Sequence, residues 1–497
     1  MPITFPMPNF GAILPEIIIL FMACVVLVVD FAMGKEHQRT WLGYLSLQGI
    51  LGAMLASLAM LIGGKSLATF GGMFLVDGFA LFFKLVFLLV AALTIMISLR
   101  YLEVEEASRG EYYVLVLLAT LGMMIMAAGN ELLTIYIALE LMSFCLYVLI
   151  GFFKRELKSI EAALKYFLVG AFSSGILLYG LALLYGLTGE TALPRIAAVL
   201  AEKNLYGNPI LILSMVLLIA GFGFKVSAVP FHMWAPDVYE GAPTSITAFL
   251  SVGSKAASFA ALLRIFFVAL GGSKANWEPL LWVLAVLTMT LGNLVAINQT
   301  NIKRLLAYSS IASAGYLLIG IVAGNEIGLA SVLLYALVYG FMNIGCFALV
   351  ILLCRDKQNR GEFISDFTGL ARVQPYAAMA MVLFFLSLTG IPPTGGFVAK
   401  FYIFAAAIRE GFVWLAIIGV ANSAISLYYY FRVVMAMYMR EPEKTVSFSY
   451  SPALTVAILV MAIGTLLIGV YPHPFLSAAK TAVTPLLGSV KAMAMLP

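Results

Sequence analysis

Six basic side chains, Lys84, Lys165, Lys225, Lys255, Arg264 and Lys400, and one acid, Glu140, fall inside long apolar runs of a chain of 497 residues. A charge at the centre of a bilayer costs at least ~2.5–3.5 kcal/mol, so such residues are functional by default unless something pairs them. Glu140 lies in Tyr136-Ile137-Ala138-Leu139-Glu140-Leu141-Met142-Ser143 with no basic neighbour at helical spacing, so its partner must come from another helix. Lys225 stands just ahead of Pro230. A lysine held out of water is pushed toward its neutral form and can exchange protons near neutral pH, which an arginine cannot. Lys255 follows Gly253 and Ser254, small residues that leave room for water or a close helix, and Lys400 follows the run Pro392-Pro393-Thr394-Gly395-Gly396. One carboxylate and three lysines at such positions have the chemistry of a proton relay, with Glu140 and Lys225 expected to couple as a buried ion pair. His232, in Pro230-Phe231-His232-Met233-Trp234, is a further relay candidate because imidazole titrates near neutral pH. The structural alternative is a hydrogen-bonded cap on a broken helix.

The other charges point elsewhere. Lys84 comes seven residues after Asp77 on the same helix face, so a local contact competes with a transport role. Lys165 is close enough to a span end to reach the surface, Arg264 is suited to pairing or anchoring, and Glu16 and Asp30 are expected to be solvated at span ends. The three histidines, His37, His232 and His473, are too scattered for a haem pair, and Cys24, Cys145, Cys346 and Cys354 have no metal-ligand spacing. No phosphate-binding loop and no nucleophile–base constellation occurs. The expectation is a chain with no cofactor, metal or disulfide of its own, so any redox chemistry belongs to partners.

The elements that must position these residues follow from composition. The chain is 63% hydrophobic and 11% charged, against roughly 25% charged in soluble proteins, which excludes a water-soluble domain. Runs such as Val114 to Ala127 do not alternate, so the spans are helices and not barrel strands. Ile17 to Val29 is bracketed by Glu16 and Asp30 with no cleavage site, and reads as a retained span. The expected fold is an all-α polytopic membrane protein with about fourteen transmembrane helices. Most loop lysines and arginines, among them Lys35, Arg39, Lys154, Lys158, Arg304, Arg355, Lys357 and Lys444, fall on one side, whereas Lys65, Arg195, Lys203 and Lys274 fall on the other. This bias puts both termini outside the cytoplasm.

The twelfth run, at roughly 375–408, would make a helix of ~50 Å, too long for one crossing. It must break at Thr389-Gly390-Ile391-Pro392-Pro393-Thr394-Gly395-Gly396, and the seventh run breaks similarly at Pro230. Each broken segment is the fourth of a five-helix group. Because five is odd, the second group starts in the opposite sense, the layout of an inverted repeat. The expected organisation is an N-terminal three-helix segment (1–110), a first repeat (111–272), a second, inverted repeat (273–445), and a last span with a C-terminal tail (446–497).

Residues 225–244, Lys225-Val226-Ser227-Ala228-Val229-Pro230-Phe231-His232-Met233-Trp234-Ala235-Pro236-Asp237-Val238-Tyr239-Glu240-Gly241-Ala242-Pro243-Thr244, closely resemble the antiporter-like N subunits of proton-pumping NADH:quinone oxidoreductase (respiratory complex I). Leu139-Glu140-Leu141, Asn301-Ile302-Lys303-Arg304-Leu305-Leu306-Ala307-Tyr308-Ser309-Ser310 and Gly390 to Phe397 support the resemblance, which covers nearly the whole chain. The resemblance implies a proton-translocating subunit of the membrane arm in a bacterial inner membrane. Glu140 would be the fifth-span glutamate, Lys225 the broken-helix lysine, Lys255 the central relay and Lys400 the lysine of the second broken helix. It also implies antiporter-like sister subunits, partners that carry FMN and iron–sulfur clusters, and quinone as substrate of the complex. The rival reading is a subunit of a multisubunit cation/proton antiporter, and a third is a membrane scaffold, which leaves the buried charges without a purpose.

Overall fold

A computed structural model describes residues 8–33, 39–64, 66–354, 360–441 and 450–494. Lys35, His37, Lys65, Arg355, Lys357 and Lys444 lie outside the described residues. The chain opens with α1 (Leu14–Ala32), α2 (Thr40–Ile62) and α3 (Gly78–Val104). A small antiparallel hairpin, β1 (Leu67–Thr69) and β2 (Phe74–Val76), separates α2 from α3 and pairs Leu67 with Val76. Next come α4 (Gly110–Ala128), α5 (Leu132–Ile150), α6 (Leu157–Thr188), α7 (Leu193–Glu202), α8 (Pro209–Val226), α9 (Trp234–Gly241), α10 (Thr244–Phe249) and α11 (Lys255–Arg264). They are followed by α12 (Lys274–Ala296), α13 (Ile302–Ala323), α14 (Glu326–Leu353), α15 (Leu370–Val373), α16 (Pro375–Thr389), α17 (Gly395–Arg409) and α18 (Val413–Met439). The chain closes with α19 (Pro452–Val470) and α20 (His473–Ala494).

Among the described residues, 13 helices are long and apolar enough to cross a membrane. The remaining expected span is divided between α16 and α17, each of 15 residues. The protein is thus an all-α polytopic membrane protein. The core is the continuous run Thr244–Ala269 together with α13 and α14, which are almost wholly buried, whereas α1, α2 and α19 bury only a narrow stripe. Exposed apolar side chains on the outer helices, such as Phe21, Leu55 and Ile463, are what a lipid solvent permits.

Two local features position the buried charges. Both expected breaks are present: α8 ends on Ser227 at φ 57° and the chain resumes helically at Trp234, while α16 ends on Gly390 at φ 91° and resumes at Gly395. The Val229–Pro230 and Pro392–Pro393 bonds are cis. Carbonyls freed by the first break are used by Trp234, whose Nε1 donates to Phe224 O at 3.0 Å. The second feature was not legible as a departure from one plain span. Within Thr244–Ala269, π-helical turns at Leu250–Ser254 and Ile265–Ala269 flank α11, so that Lys255 and Arg264 stand at its two ends. Such turns are frequent at functional sites.

The C-terminal tail is ordered into a further helix. It forms α20, which packs on α3 and α14 through Ala479, Ala482, Val483 and Leu486. Its apolar residues are too interspersed with polar ones to read as a span, but they make one stripe that finds a buried partner.

Candidate proton-relay site

Glu140 of α5 reaches α6, while Lys225 of α8 reaches α5 beside it, and the two make no direct salt bridge. α6 packs between α5 and α8, and its Ser174 Oγ donates to Glu140 Oε1. Lys225 Nζ donates to Ser143 Oγ at 2.7 Å, and Ser143 in turn donates to Leu139 O at 2.6 Å. Glu140 and Ser143 are three residues apart on α5 and share a face. No direct ion pair between Glu140 and Lys225 occurs among the described residues; each side chain bonds to a serine of another helix, and the Glu140 charge acts on Lys225 across that gap. The partner from another helix that Glu140 required is supplied by α6.

Lys255 Nζ donates to both Ser310 O, at 2.8 Å, and Ser310 Oγ, at 2.6 Å, on α13. The same Ser310 hydroxyl lies 3.2 Å from Tyr239 OH on α9, and Lys255 Nζ is 6.0 Å from the Tyr239 ring. Lys400, on α17, donates back across the second break to Leu388 O at 2.8 Å and Thr389 O at 3.0 Å, and to Ser423 Oγ of α18 at 2.9 Å. Its Nζ also sits 4.3 Å from the Tyr316 ring centre. The negative end of α16 therefore faces a cation, the favourable sense for a helix dipole. His232 is buried after the first break, and its Nδ1 meets no protein hydrogen-bond partner among the described residues.

The remaining buried charges divide differently. Arg264 donates to Asp77 through two nitrogens, at 3.0 and 2.8 Å, and to Ala127 O at 2.8 Å, while Asp77 caps α3 by accepting from Ala80 N at 2.8 Å. This is the pairing role expected of Arg264. Lys84 does not contact Asp77; its Nζ lies 2.8 Å from Glu16 Oε1. Glu16 and Asp30 are not solvated as expected, because α1 is covered by α2 and α4: Glu16 is taken by Lys84 and Asp30 lies 2.9 Å from Arg39 Nε. Lys165 is half-exposed and pairs with Glu161 at 2.7 Å and Asp237 at 2.9 Å.

The structure also joins two motifs that the sequence analysis treated separately. Arg304 NH1 lies 2.8 Å from Asp237 Oδ1 and 3.0 Å from Glu240 Oε2, and Lys158 Nζ is 2.9 Å from Glu240 Oε1. Lys303 Nζ donates to the backbone oxygens of Glu240 and Ala242, each at 2.8 Å. The segment Asp237 to Gly241 is thus an ionic clamp onto the start of α13, at the loop side carrying most of the basic residues. Beside it, Arg360 donates to both carboxylate oxygens of Glu105 at 2.8 Å. Burial opposes the charge of Arg360, but the hydrogen bonds from Glu105 more than offset it and hold its pKa above the usual arginine value. Sequence reasoning missed Ser143, Ser174, Ser310, Tyr316 and Ser423, because a hydroxyl in an apolar run carries little signal until its neighbour is known.

No group of three or more histidine, cysteine, aspartate or glutamate side chains that could hold a metal occurs among the described residues. The cysteines are free, three of them buried.

Comparison with known proteins places this geometry in context. Residues 129–426 match the family described as NADH:quinone oxidoreductase/Mrp antiporter, TM. The chain is 47% identical over 476 residues to NADH-quinone oxidoreductase subunit N of Trichlorobacter lovleyi, covering 96% of this chain and 97% of that one. Among solved structures, a chain of respiratory complex I from Thermus thermophilus with bound aureothin superposes with a TM-score of 0.80 at 33% identity, covering 94% of this chain and 100% of that one. A chain of the Mrp complex from Dietzia sp. gives a TM-score of 0.83 at 21% identity, covering 98% and 99%, which shows a shared fold alone.

Proposed function

The chain belongs to the family of NADH-quinone oxidoreductase N subunits, and we propose that within such a complex it carries protons through Glu140, Lys225, Lys255 and Lys400, with His232 as a side relay. It acts as the translocase part of the enzyme: electrons pass through partner subunits carrying FMN and iron–sulfur clusters to quinone, and this chain answers with proton movement. Antiporter-like sister subunits flank it in a bacterial inner membrane. Both termini lie on the periplasmic side, and residues 111–272 and 273–445 are inverted repeats, each centred on one broken helix.

One observation carries the reading. The hydrogen-bond partners of Lys225, Lys255 and Lys400 among the described residues are neutral hydroxyls and carbonyls, whereas Lys84, Lys165 and Arg264 are each in direct contact with a carboxylate. A carboxylate holds a cation charged and makes it a structural tie. A serine hydroxyl accepts from the charged lysine and can turn to donate to the neutral one, so either protonation state keeps a hydrogen bond. A scaffold would have no use for that choice. The alternative of a gradient-driven cation/proton antiporter shares the fold, but the identity over nearly the full chain is to an N subunit.

The test is Glu140→Gln in the assembled complex, in membrane vesicles at matched subunit content. The expected result is reduced proton uptake per electron; unchanged uptake would remove Glu140 from the path.

A further inference from the structure

The space between Lys255 and Lys400 is crossed by neutral polar groups that meet at one side chain, Asn293 of α12. Asn293 is fully buried. Its Oδ1 accepts from Tyr429 OH of α18 at 3.0 Å, and its Nδ2 donates to Tyr316 OH of α13 at 3.2 Å and to Met289 O at 2.9 Å. A longer contact, 3.4 Å, runs from Nδ2 to Asn422 Oδ1. On one side of this junction the Tyr316 ring lies under Lys400 Nζ. On the other, the Tyr429 ring packs against Tyr430 with ring centres 4.4 Å apart, and Tyr430 OH bonds to Ser309 Oγ. Ser309 adjoins Ser310, the partner of Lys255. The run from Lys255 through Ser310, Ser309, Tyr430, Tyr429, Asn293 and Tyr316 to Lys400 therefore crosses three helices by hydrogen bonds that are joined by the adjacent backbone of Ser309 and Ser310, the Tyr429–Tyr430 ring contact and the Tyr316 ring under Lys400.

An asparagine amide neither gains nor loses a proton at neutral pH, yet it accepts at one end and donates at the other. Linked hydrogen bonds polarise one another, and in a low-dielectric interior that effect is larger than in water. We propose that Asn293 is the positioning residue of the link between Lys255 and Lys400: its amide orients Tyr429 and Tyr316, passing the polarisation set up by charge on one lysine toward the other without itself carrying the proton. This rests on the proton-relay reading above. The amide is suited to the task because it couples the two lysines while offering no group that titrates between them.

The experiment uses the assembled complex in membrane vesicles, reading proton uptake per electron and quinone reduction separately at matched assembly. Asn293→Leu keeps the branching and number of heavy atoms of the side chain and removes both hydrogen-bonding ends; Asn293→Ser keeps a donor and an acceptor in a smaller side chain; Lys400→Met is the reference. Asn293→Leu is expected to show at least half of the loss of uptake seen in Lys400→Met, with Asn293→Ser retaining most of it. A space-filling role alone would rank the two in the reverse order, since serine leaves the larger void. If the leucine variant does not assemble, Tyr316→Phe removes the hydroxyl that Asn293 meets but keeps the ring beneath Lys400, and it is expected to show the same loss. Full uptake in Asn293→Leu, or in Tyr316→Phe, beside lost uptake in Lys400→Met overturns the role of Asn293 and leaves the relay standing. Full uptake in Lys400→Met overturns both.

Discussion

A lysine in hydrocarbon needs a partner, and the type of partner separates the residues proposed to carry protons from the structural ties. Among the described residues, Ser143 is the hydrogen-bond partner of Lys225 Nζ, at 2.7 Å. Interhelical hydrogen bonds in membrane proteins average below 1 kcal/mol, so Ser143→Ala should lower the stability of the purified complex by about 1 kcal/mol or less. The functional change should be larger than that figure suggests, because Lys225 loses the group that serves both of its protonation states. Ser143→Thr keeps the hydroxyl and is expected to retain proton uptake. Equal uptake in the alanine and wild-type complexes would show that Ser143 is dispensable to Lys225. The positions of Glu140, Lys225, Lys255 and Lys400 were readable as charges misplaced in apolar runs. Their partners were not, since Ser143, Ser174, Ser310 and Ser423 stand 23 to 82 positions away on separate helices.

At the scale of elements, the two breaks are where sequence and structure agree most closely, because proline and glycine act on the backbone directly. The second break is also a tight packing junction. Gly396 N donates to Ser387 Oγ at 3.0 Å, and a Cβ on Gly396 would stand 1.8 Å from Ser387 O. Gly396→Ala must therefore push α17 away from α16 and pull Lys400 from the carbonyls of Leu388 and Thr389. A loss of about 3 kcal/mol or more is expected, measured as a lower melting temperature or failed assembly. Gly175 offers the contrast: it lies inside α6 with nothing within 4 Å of a Cβ. Gly175→Ala should be neutral, or stabilising by up to about 1 kcal/mol from helix propensity. The π-helical turns beside Lys255 were invisible by comparison, since Leu250-Ser251-Val252-Gly253-Ser254 has the composition of any span, and the extra residue per turn is decided by what packs around it.

For the whole molecule, the buried Arg264–Asp77 pair ties the N-terminal three-helix segment to the core span. Both side chains are almost fully buried, 1% exposed each. Removing one partner of such a pair strands a buried charge at a cost of about 3–5 kcal/mol, while replacing both by apolar groups is often neutral. Arg264→Met alone should destabilise the complex by that amount, and the added change Asp77→Leu should recover most of it, apart from the lost cap on α3. Thermal unfolding of the three complexes checks this; a double variant no better than Arg264→Met would show that the cap and not the charge dominates.

By itself the sequence determined the class of molecule, the number and breaks of its spans, and the side chains with proton chemistry. Those are properties of composition and of backbone chemistry, readable one residue at a time: apolar runs need a bilayer, Pro230 and Pro393 cannot continue a helix, and a lysine amid leucines is conspicuous. Only the tertiary structure decided who meets whom. Glu140 found Ser174 and not Lys225, Lys84 found Glu16 and not Asp77, and Arg304 found Asp237 and Glu240 across 67 and 64 positions of chain. Partner choice depends on which helix packs between which others, a consequence of shape and small-residue contacts distributed over the whole bundle. It has no local signature, so the tyrosines, serines and the single amide of Asn293 that join Lys255 to Lys400 became legible only when α12, α13 and α18 were seen together.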